Sequence, residues 1–259
     1  MVLRSLTGGV ERAIVRGHDH PALGTSSVTA LDASLAIGIS AGARAKTSPT
    51  AAPNEDAGAV ARGSRADLLV VADGHFGTEA SELVVDHVLR AIGQDPPPAD
   101  LTDEDLVALF YAAGIAVQRE TTRPGCPHPH SRSTLAIALV ASDLVQWAAI
   151  GDSCVVVATG DGGKRLDAPR PAYLGHHFTA ADVAGALSRG RTPRVSRTCV
   201  VLATDGLVQG LEEGGAEVAA SVGTDARDAA AATDVAQALL GRALGNGVRD
   251  AVTVAVALA

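Results

Sequence analysis

Leu68-Leu69-Val70-Val71-Ala72-Asp73-Gly74-His75-Phe76-Gly77 is the stretch on which the reading of this chain turns. Five apolar residues without a polar interruption fit a buried strand, and Asp73-Gly74 marks a tight turn at its end. Immediately downstream, Ala80, Leu83, Val84, Val88, Leu89 and Ile92 recur at helical spacing until Gly93 and the three prolines that follow stop the pattern. Thr102 then offers a hydroxyl cap for a second helix through Leu106, Leu109 and Phe110 towards Gln118. Upstream, Val28 to Ser40 reads as a strand or strand pair, and residues 42–53, rich in Ala, Thr, Ser and Pro, read as a loop.

Further along, Leu135 to Val140, Val145 to Ile150 and Val155 to Ala158 are short apolar runs. Ser142-Asp143 and Gly151-Asp152-Ser153 separate them, which is the spacing of an antiparallel meander, with another turn at Asp161-Gly162-Gly163. Thr179 to Leu187 predicts a short helix closed by Gly190, and Thr198 to Ala203 another buried strand. Thr224 to Leu244 predicts one alanine-rich helix, and Val252 to Leu258 a closing strand. Paired helices between blocks of meandering strands indicate an α+β sandwich rather than a parallel βαβ sheet. With no internal repeat and no linker, one domain over residues 1–259 is expected.

Composition narrows the chemistry. The chain has 259 residues, 47% apolar, and 50 of them are alanine, which suits a GC-rich bacterial source. A net charge of −8 lacks the basic surface that nucleic-acid binding needs, so no nucleic acid partner is expected. No apolar segment reaches the length of a membrane span or a secretory leader, so no membrane partner and a cytoplasmic location are expected. Cys126, Cys154 and Cys199 are odd in number and far apart, and are read as reduced thiols. Only six residues are aromatic, too few for a base-stacking platform or an aromatic-lined slot, so ligands should be held by polar groups, metals or backbone.

Acids recur at strand ends: Glu55-Asp56 before Ala57 to Val60, Asp73 after Ala72, Asp205 after Ala203, and Asp250 before Val252. If the strands share one sandwich, these carboxylates converge and repel, and divalent Mg²⁺ or Mn²⁺ is the cation that such hard oxygen donors suit. Asp-Gly is also an ordinary turn pair, so each acid taken singly has a purely structural explanation.

Asn54-Glu55-Asp56-Ala57, Val71-Ala72-Asp73-Gly74-His75-Phe76-Gly77, Ser133-Thr134, Gly151-Asp152-Ser153, Ala203-Thr204-Asp205-Gly206-Leu207 and Asp250-Ala251-Val252-Thr253 form an ordered series over roughly residues 28–258. In this order the series resembles the metal-dependent protein phosphatases of type 2C. The resemblance implies two antiparallel sheets packed face to face with helices outside, an α-β-β-α arrangement. It also implies two divalent ions, Mn²⁺ or Mg²⁺. Asp73 would bridge both, Asp205 and Asp250 would complete one, Glu55 and the Gly74 carbonyl would serve the other, and Asp56 would hold metal-bound water. A metal-bridged water would then attack phosphoserine or phosphothreonine in a protein, with His75 as general acid, and a serine/threonine kinase would act in opposition. Asp152 is assigned a bracing role in its turn, and Ser133-Thr134 hydrogen bonding at a strand start rather than nucleophilic catalysis.

The series departs from the family pattern in four places. The arginine that clamps substrate phosphate, four residues before Glu55, is replaced by Ala51, leaving Arg44 or Lys46 to reach in. The Asp-Asn pair of the last motif is Asp250-Ala251. Only 53 positions separate Asp152 from Asp205, so a shortened or absent flap subdomain is expected. The acid that holds a third metal in bacterial relatives has no evident counterpart in His128-Pro129-His130, read as a solvated loop. These departures sustain a second reading, a weak or inactive phosphatase fold that regulates by binding metal or a partner protein. A third reading, hydrolysis of small phosphomonoesters, shares the chemistry of the first.

Overall fold

The apolar runs are uninterrupted because both faces of their strands are covered. In the computed structural model, which describes residues 3–7, 10–47, 52–93, 97–175, 179–211 and 215–259, the chain forms two stacked sheets with helices on each outer face. It begins with β1 (Leu3–Thr7), β2 (Val10–Arg16), β3 (Ser26–Asp32), β4 (Leu35–Ser40), β5 (Ala57–Arg62), β6 (Ala66–Ala72) and the two-residue β7 (Gly74–His75). Helices α1 (Glu79–Ala91) and α2 (Asp103–Thr121) follow. Next come β8 (Arg132–Ser133), β9 (Leu135–Ala141), β10 (Leu144–Ile150), β11 (Cys154–Thr159) and β12 (Gly162–Arg165). Helix α3 (Ala180–Ala186) leads to β13 (Ser188–Pro193) and β14 (Cys199–Ala203). Helices α4 (Asp205–Gly210), α5 (Gly215–Asp228) and α6 (Ala232–Gly245) precede the last strand, β15 (Val252–Leu258).

The first sheet has the order β1-β2-β5-β6-β9-β10-β13 and the second β12-β11-β14-β15-β4-β3, antiparallel throughout. Period-two alternation sorts each strand's side chains. On β6, Leu68 and Val70 meet Val84 and Val88 of α1 and Phe110 of α2, while Leu69 and Val71 face the other sheet. On β14, Val201 packs against the α5 and α6 layer with Val222 and Leu239, while Val200 and Leu202 face inward. The result is the α-β-β-α sandwich expected from the sequence. At about 25 cal/mol per Å² of apolar surface, burial in these three layers supplies the main stabilising term.

Several local expectations change. Val28 to Ser40 resolves into the β3–β4 pair. The β9–β10 hairpin forms as read, but the third run of the meander, β11, leaves for the second sheet, where it lies between β12 and β14. Gly151-Asp152-Ser153 is therefore a crossing between sheets and no hairpin turn. The alanine-rich helix is two helices: the Asp234 carboxylate accepts the backbone N–H groups of Ala230 and Ala231 and starts α6 afresh. Gly190 does not close α3 but lies in β13, an edge strand whose Ser-Arg-Gly-Arg-Thr-Pro sequence carries no strand signal. Between Arg165 and Ser188 the described residues hold one helix, α3, capped by Thr179 and Asp182. Cys154 and Cys199 are buried free thiols, both pushed up to about 12 by burial, and Cys126 is also unpaired. No helix among the described residues is long and apolar enough to cross a membrane.

Candidate metal centre

Pairing register carries the acids to one end of the sandwich. Ala57 of β5 pairs with Ala72 of β6, so Asp56 lies beside Asp73. Ala203 of β14 pairs with Val254 of β15, so Asp205 lies near the start of β15, which Asp250 precedes. The β10–β11 crossing brings Asp152 to the same end.

Two Asp-Gly pairs serve close approach here, and neither glycine needs a left-handed backbone. A Cβ on Gly74 would lie 2.3 Å from the Glu55 carbonyl oxygen, and one on Gly206 would lie 1.9 Å from the Ala251 carbonyl oxygen. Glycine thus lets Asp73 sit against the Glu55-Asp56 segment and Asp205 against Asp250-Ala251. Instead of the expected tight turn, the chain after Asp73 runs straight into β7, which pairs with β8, and Asp205-Gly206 opens α4.

The carboxylates are held by unlike means. Asp56 is fully buried, and its Oδ2 accepts hydrogen bonds from Thr204 Oγ1 at 2.8 Å and Thr253 Oγ1 at 2.9 Å, which ties the two sheets together. The Asp73 backbone is clamped by Thr134, whose Oγ1 accepts the Asp73 N–H at 2.9 Å, and by Ser133, whose hydroxyl donates to the Asp73 carbonyl at 3.0 Å. Ser133-Thr134 thus has the hydrogen-bonding role read from sequence. Glu55 accepts from the Gly77 N–H at 2.6 Å and from Lys46 Nζ at 3.1 Å. Gln209, one turn into α4, donates to Asp205 Oδ2 at 2.6 Å and approaches Asp250 Oδ2 at 3.4 Å.

At this end of the sandwich, four buried carboxylate oxygens have no hydrogen-bond partner among the described residues: Asp56 Oδ1, Asp73 Oδ2, Asp152 Oδ1 and Asp205 Oδ1. Asp73, Asp152 and Asp205 each offer an oxygen within 4.8 Å of the others. Asp152, read from sequence as a brace in its turn, therefore also brings a carboxylate oxygen near Asp73 and Asp205. Among the described residues, neither His128 nor His130 joins this group. His128 Nδ1 is instead 2.6 Å from Glu79 Oε1.

Crowding of like charges in a dry site has the expected electrostatic effect. Burial, then the neighbouring charge of Asp250, pushes Asp56 up to about 6 and Asp205 up to about 7. Burial and the charges of Asp56, Asp205 and Asp250 raise Asp73 well above the carboxylate range. Burial pulls the Lys46 ammonium down, but Asp250 and Glu55 more than reverse this and keep it charged. A divalent cation fits such a donor set, since it satisfies orphaned oxygens and relieves the repulsion together. The fit is clearest at Asp73, Asp152 and Asp205, while Glu55 and Asp250 are joined through Lys46.

On the solvent side, His75 Nε2 lies 3.3 Å from Asp73 Oδ2 without the alignment of a hydrogen bond. Burial lowers the His75 pKa. Its ring meets Tyr173 edge-on at 4.7 Å, and the Arg132 guanidinium lies over both Tyr173, at 4.7 Å, and Phe76, at 5.0 Å. Two of the six aromatic residues, Phe76 and Tyr173, therefore gather beside the acids and sandwich a cation. Phe76 and Arg132 line a pocket of about 340 Å³ together with His130. Of the two cations proposed for the missing clamp, Lys46 reaches the acids, whereas Arg44 packs over Gly247. Ala51 lies outside the described residues.

Sequence reading placed Asp152 in a bracing role, named Lys46 only beside Arg44, and passed over Gln209. Asp152 looks like a turn residue, Lys46 lies in a loop without pattern, and Gln209 matters only once α4 starts at Asp205.

Solved structures share this architecture. A bacterial serine phosphatase aligns with a TM-score of 0.65 at 17% identity, covering 90% of this chain and 96% of that one. The catalytic domain of the serine/threonine protein phosphatase PstP, in complex with two manganese ions, aligns at 0.64 and 20% identity, covering 90% and 99%. The serine/threonine phosphatase Stp1 from Staphylococcus aureus aligns at 0.65 and 18% identity, covering 92% and 96%. No curated protein matches in sequence. Residues 46–243 match the sequence pattern of the family Protein phosphatase 2C, and the chain belongs to that family.

Proposed function

We propose that this chain is a single phosphatase-like domain that hydrolyses phosphoserine and phosphothreonine in proteins with the help of bound Mn²⁺ or Mg²⁺. The observation that carries the reading is the set of four unpartnered, buried carboxylate oxygens at one sandwich end, three of them from acids within ligand distance of one another. In this reading Asp73, Asp152 and Asp205 would hold one ion, Glu55, the Gly74 carbonyl and Asp250, which Lys46 joins to Glu55, would hold the other, and Asp56 would orient water. Bound divalent ions neutralise phosphate charge and supply an activated water for in-line attack.

The chain's own residues do the rest. Thr134 and Ser133 fix the Asp73 backbone, and Thr204 and Thr253 fix Asp56, so the acids cannot relax apart. His75 stands at the rim, where it would protonate the leaving serine or threonine oxygen. Burial lowers its pKa in the free protein, and an incoming phosphate dianion raises it again by adding negative charge. Arg132, held between Phe76 and Tyr173, presents a cation to the approaching phosphoprotein. The cytoplasm, where an opposing kinase would act, is the location that fits this substrate.

Aryl phosphate hydrolysis with added Mn²⁺ tests the reading. Wild type should turn over, and Asp73→Asn should lose at least a hundredfold in kcat. Absent turnover in wild type, or full activity in the variant, defeats it. A wild type that binds Mn²⁺ but hydrolyses neither aryl phosphate nor phosphopeptide favours the regulatory alternative, for which the Lys46 contacts with two of the acids speak.

A further inference from the structure

The carboxylates at the sandwich end divide into two groups by what already satisfies them. On the Asp73–Asp152–Asp205 side, an oxygen of each acid is buried without a hydrogen-bond partner among the described residues. On the Glu55–Asp250 side, the oxygens are engaged. Glu55 holds the Gly77 N–H and Lys46, and Asp250 Oδ1 holds the Ala251 N–H at 2.9 Å and Lys46 Nζ at 3.0 Å.

Lys46 is anchored to make this bridge. The Ala43 and Arg44 N–H groups both donate to the Val248 carbonyl, and Arg249 donates to the Ala45 carbonyl at 3.2 Å. The backbone before Lys46 is therefore laced to the segment that ends in Asp250. Its side chain is 16% exposed, and its ammonium lies within 3.1 Å of both carboxylates. Among the described residues it is the one cation found in ion-pair contact with Glu55 or Asp250, and six acids share this end: Glu55, Asp56, Asp73, Asp152, Asp205 and Asp250.

We propose that Lys46 is a tethered cation standing where a second divalent ion would otherwise bind, between Glu55 and Asp250. One ion enters the Asp73–Asp152–Asp205 side directly. A second binds only by displacing the Lys46 ammonium, so the two steps differ in affinity by at least tenfold. This rests on the metal-binding reading above and adds an order of loading set by this chain's own lysine. A compact ammonium on a flexible four-carbon stem suits such a role, because it matches a small ion in charge placement yet withdraws without moving the backbone.

The test is calorimetric titration of the metal-free full-length chain with Mn²⁺, comparing wild type, Lys46→Met and Lys46→Arg. Wild type should show one tight step and a second at least tenfold weaker. Lys46→Met should strengthen the second step at least tenfold and leave the first within about twofold. Lys46→Arg, which keeps the charge, should keep the second step weak. Melting curves guard against a folding artefact: metal-free Lys46→Met should melt below wild type, and saturating Mn²⁺ should close the gap. Two equal steps in wild type, or a second step that Lys46→Met does not tighten, overturns the proposal and leaves the metal-binding reading intact. Unchanged titrations with a raised KM for aryl phosphate also overturn it and make Lys46 a phosphate clamp. No binding in any of the three proteins defeats the proposal and the metal reading together.

Discussion

Gly206 touches no ligand, yet the placement of two acids depends on it. Any side chain there meets the Ala251 carbonyl, which belongs to backbone that cannot swing aside as a flexible side chain would. Gly206→Ala should therefore part Asp205 from Asp250 and cost about 1–3 kcal/mol, in the range of an overpacked core. The expected result is a melting temperature lower by several degrees, at roughly 2–4 °C per kcal/mol for a chain near this size, with weaker Mn²⁺ binding in parallel. Unaltered melting and unaltered binding would refute the close-approach account. Residue-scale legibility follows the same division. Glu55, Asp56, Asp73, Asp205 and Asp250 were legible because each adjoins an apolar run that announces a strand end. Lys46 was visible only as one of two cations able to reach in. Choosing between it and Arg44 required the loop's attachment to Val248 and Arg249.

At the scale of elements, what could be read was what hydrophobic pattern alone decides. Ala66–Ala72, Cys199–Ala203 and Val252–Leu258 are strands buried on both faces, so apart from Asp67 and Thr253 their residues are all apolar. Helix α2 announces its own start, since Thr102 accepts the Asp105 N–H while Asp105 accepts back from Thr102. What could not be read depends on partners distant in sequence. The residues of β13 form a strand because Trp147 and its neighbours on β10 supply hydrogen-bonding partners, not because of any apolar alternation. The β10–β11 link looks like a hairpin turn, and only the stacking of two sheets makes it a crossing. That crossing brings Asp152 to the acids, so an error about one connection hid the approach of Asp152 to Asp73 and Asp205. The break between α5 and α6 is invisible to helix propensity, because alanine favours helix on both sides of it.

For the whole molecule, the −8 charge is partly concentrated at one end of the sandwich, and this makes stability depend on pH and metal together. Asp56, Asp73 and Asp205 have native-state pKa values above the ordinary 3.8. Between about pH 4 and 7 the native chain therefore binds more protons than the unfolded one, and this part of its stability is lost as pH rises through the native values. His75, lowered by burial, acts in the opposite sense, chiefly below about pH 6.5. In the presence of a chelator, melting temperature should fall between about pH 5 and 7, as the raised Asp56 and Asp205 carboxyls lose their protons, and Asp205→Asn should flatten that slope. A slope unchanged by the substitution would mean that the acids are not strained. Mn²⁺ should abolish the fall in wild type, because it replaces the protons that the acids otherwise need.

The most direct measurement is phosphate release from a phosphothreonine peptide by purified wild-type protein, first freed of metal and then supplied with Mn²⁺. Release that is absent with chelator, appears with Mn²⁺ and is lost in Asp73→Asn is the result predicted. Release that is equal with and without metal, or retained in Asp73→Asn, would contradict the metal-dependent phosphatase account.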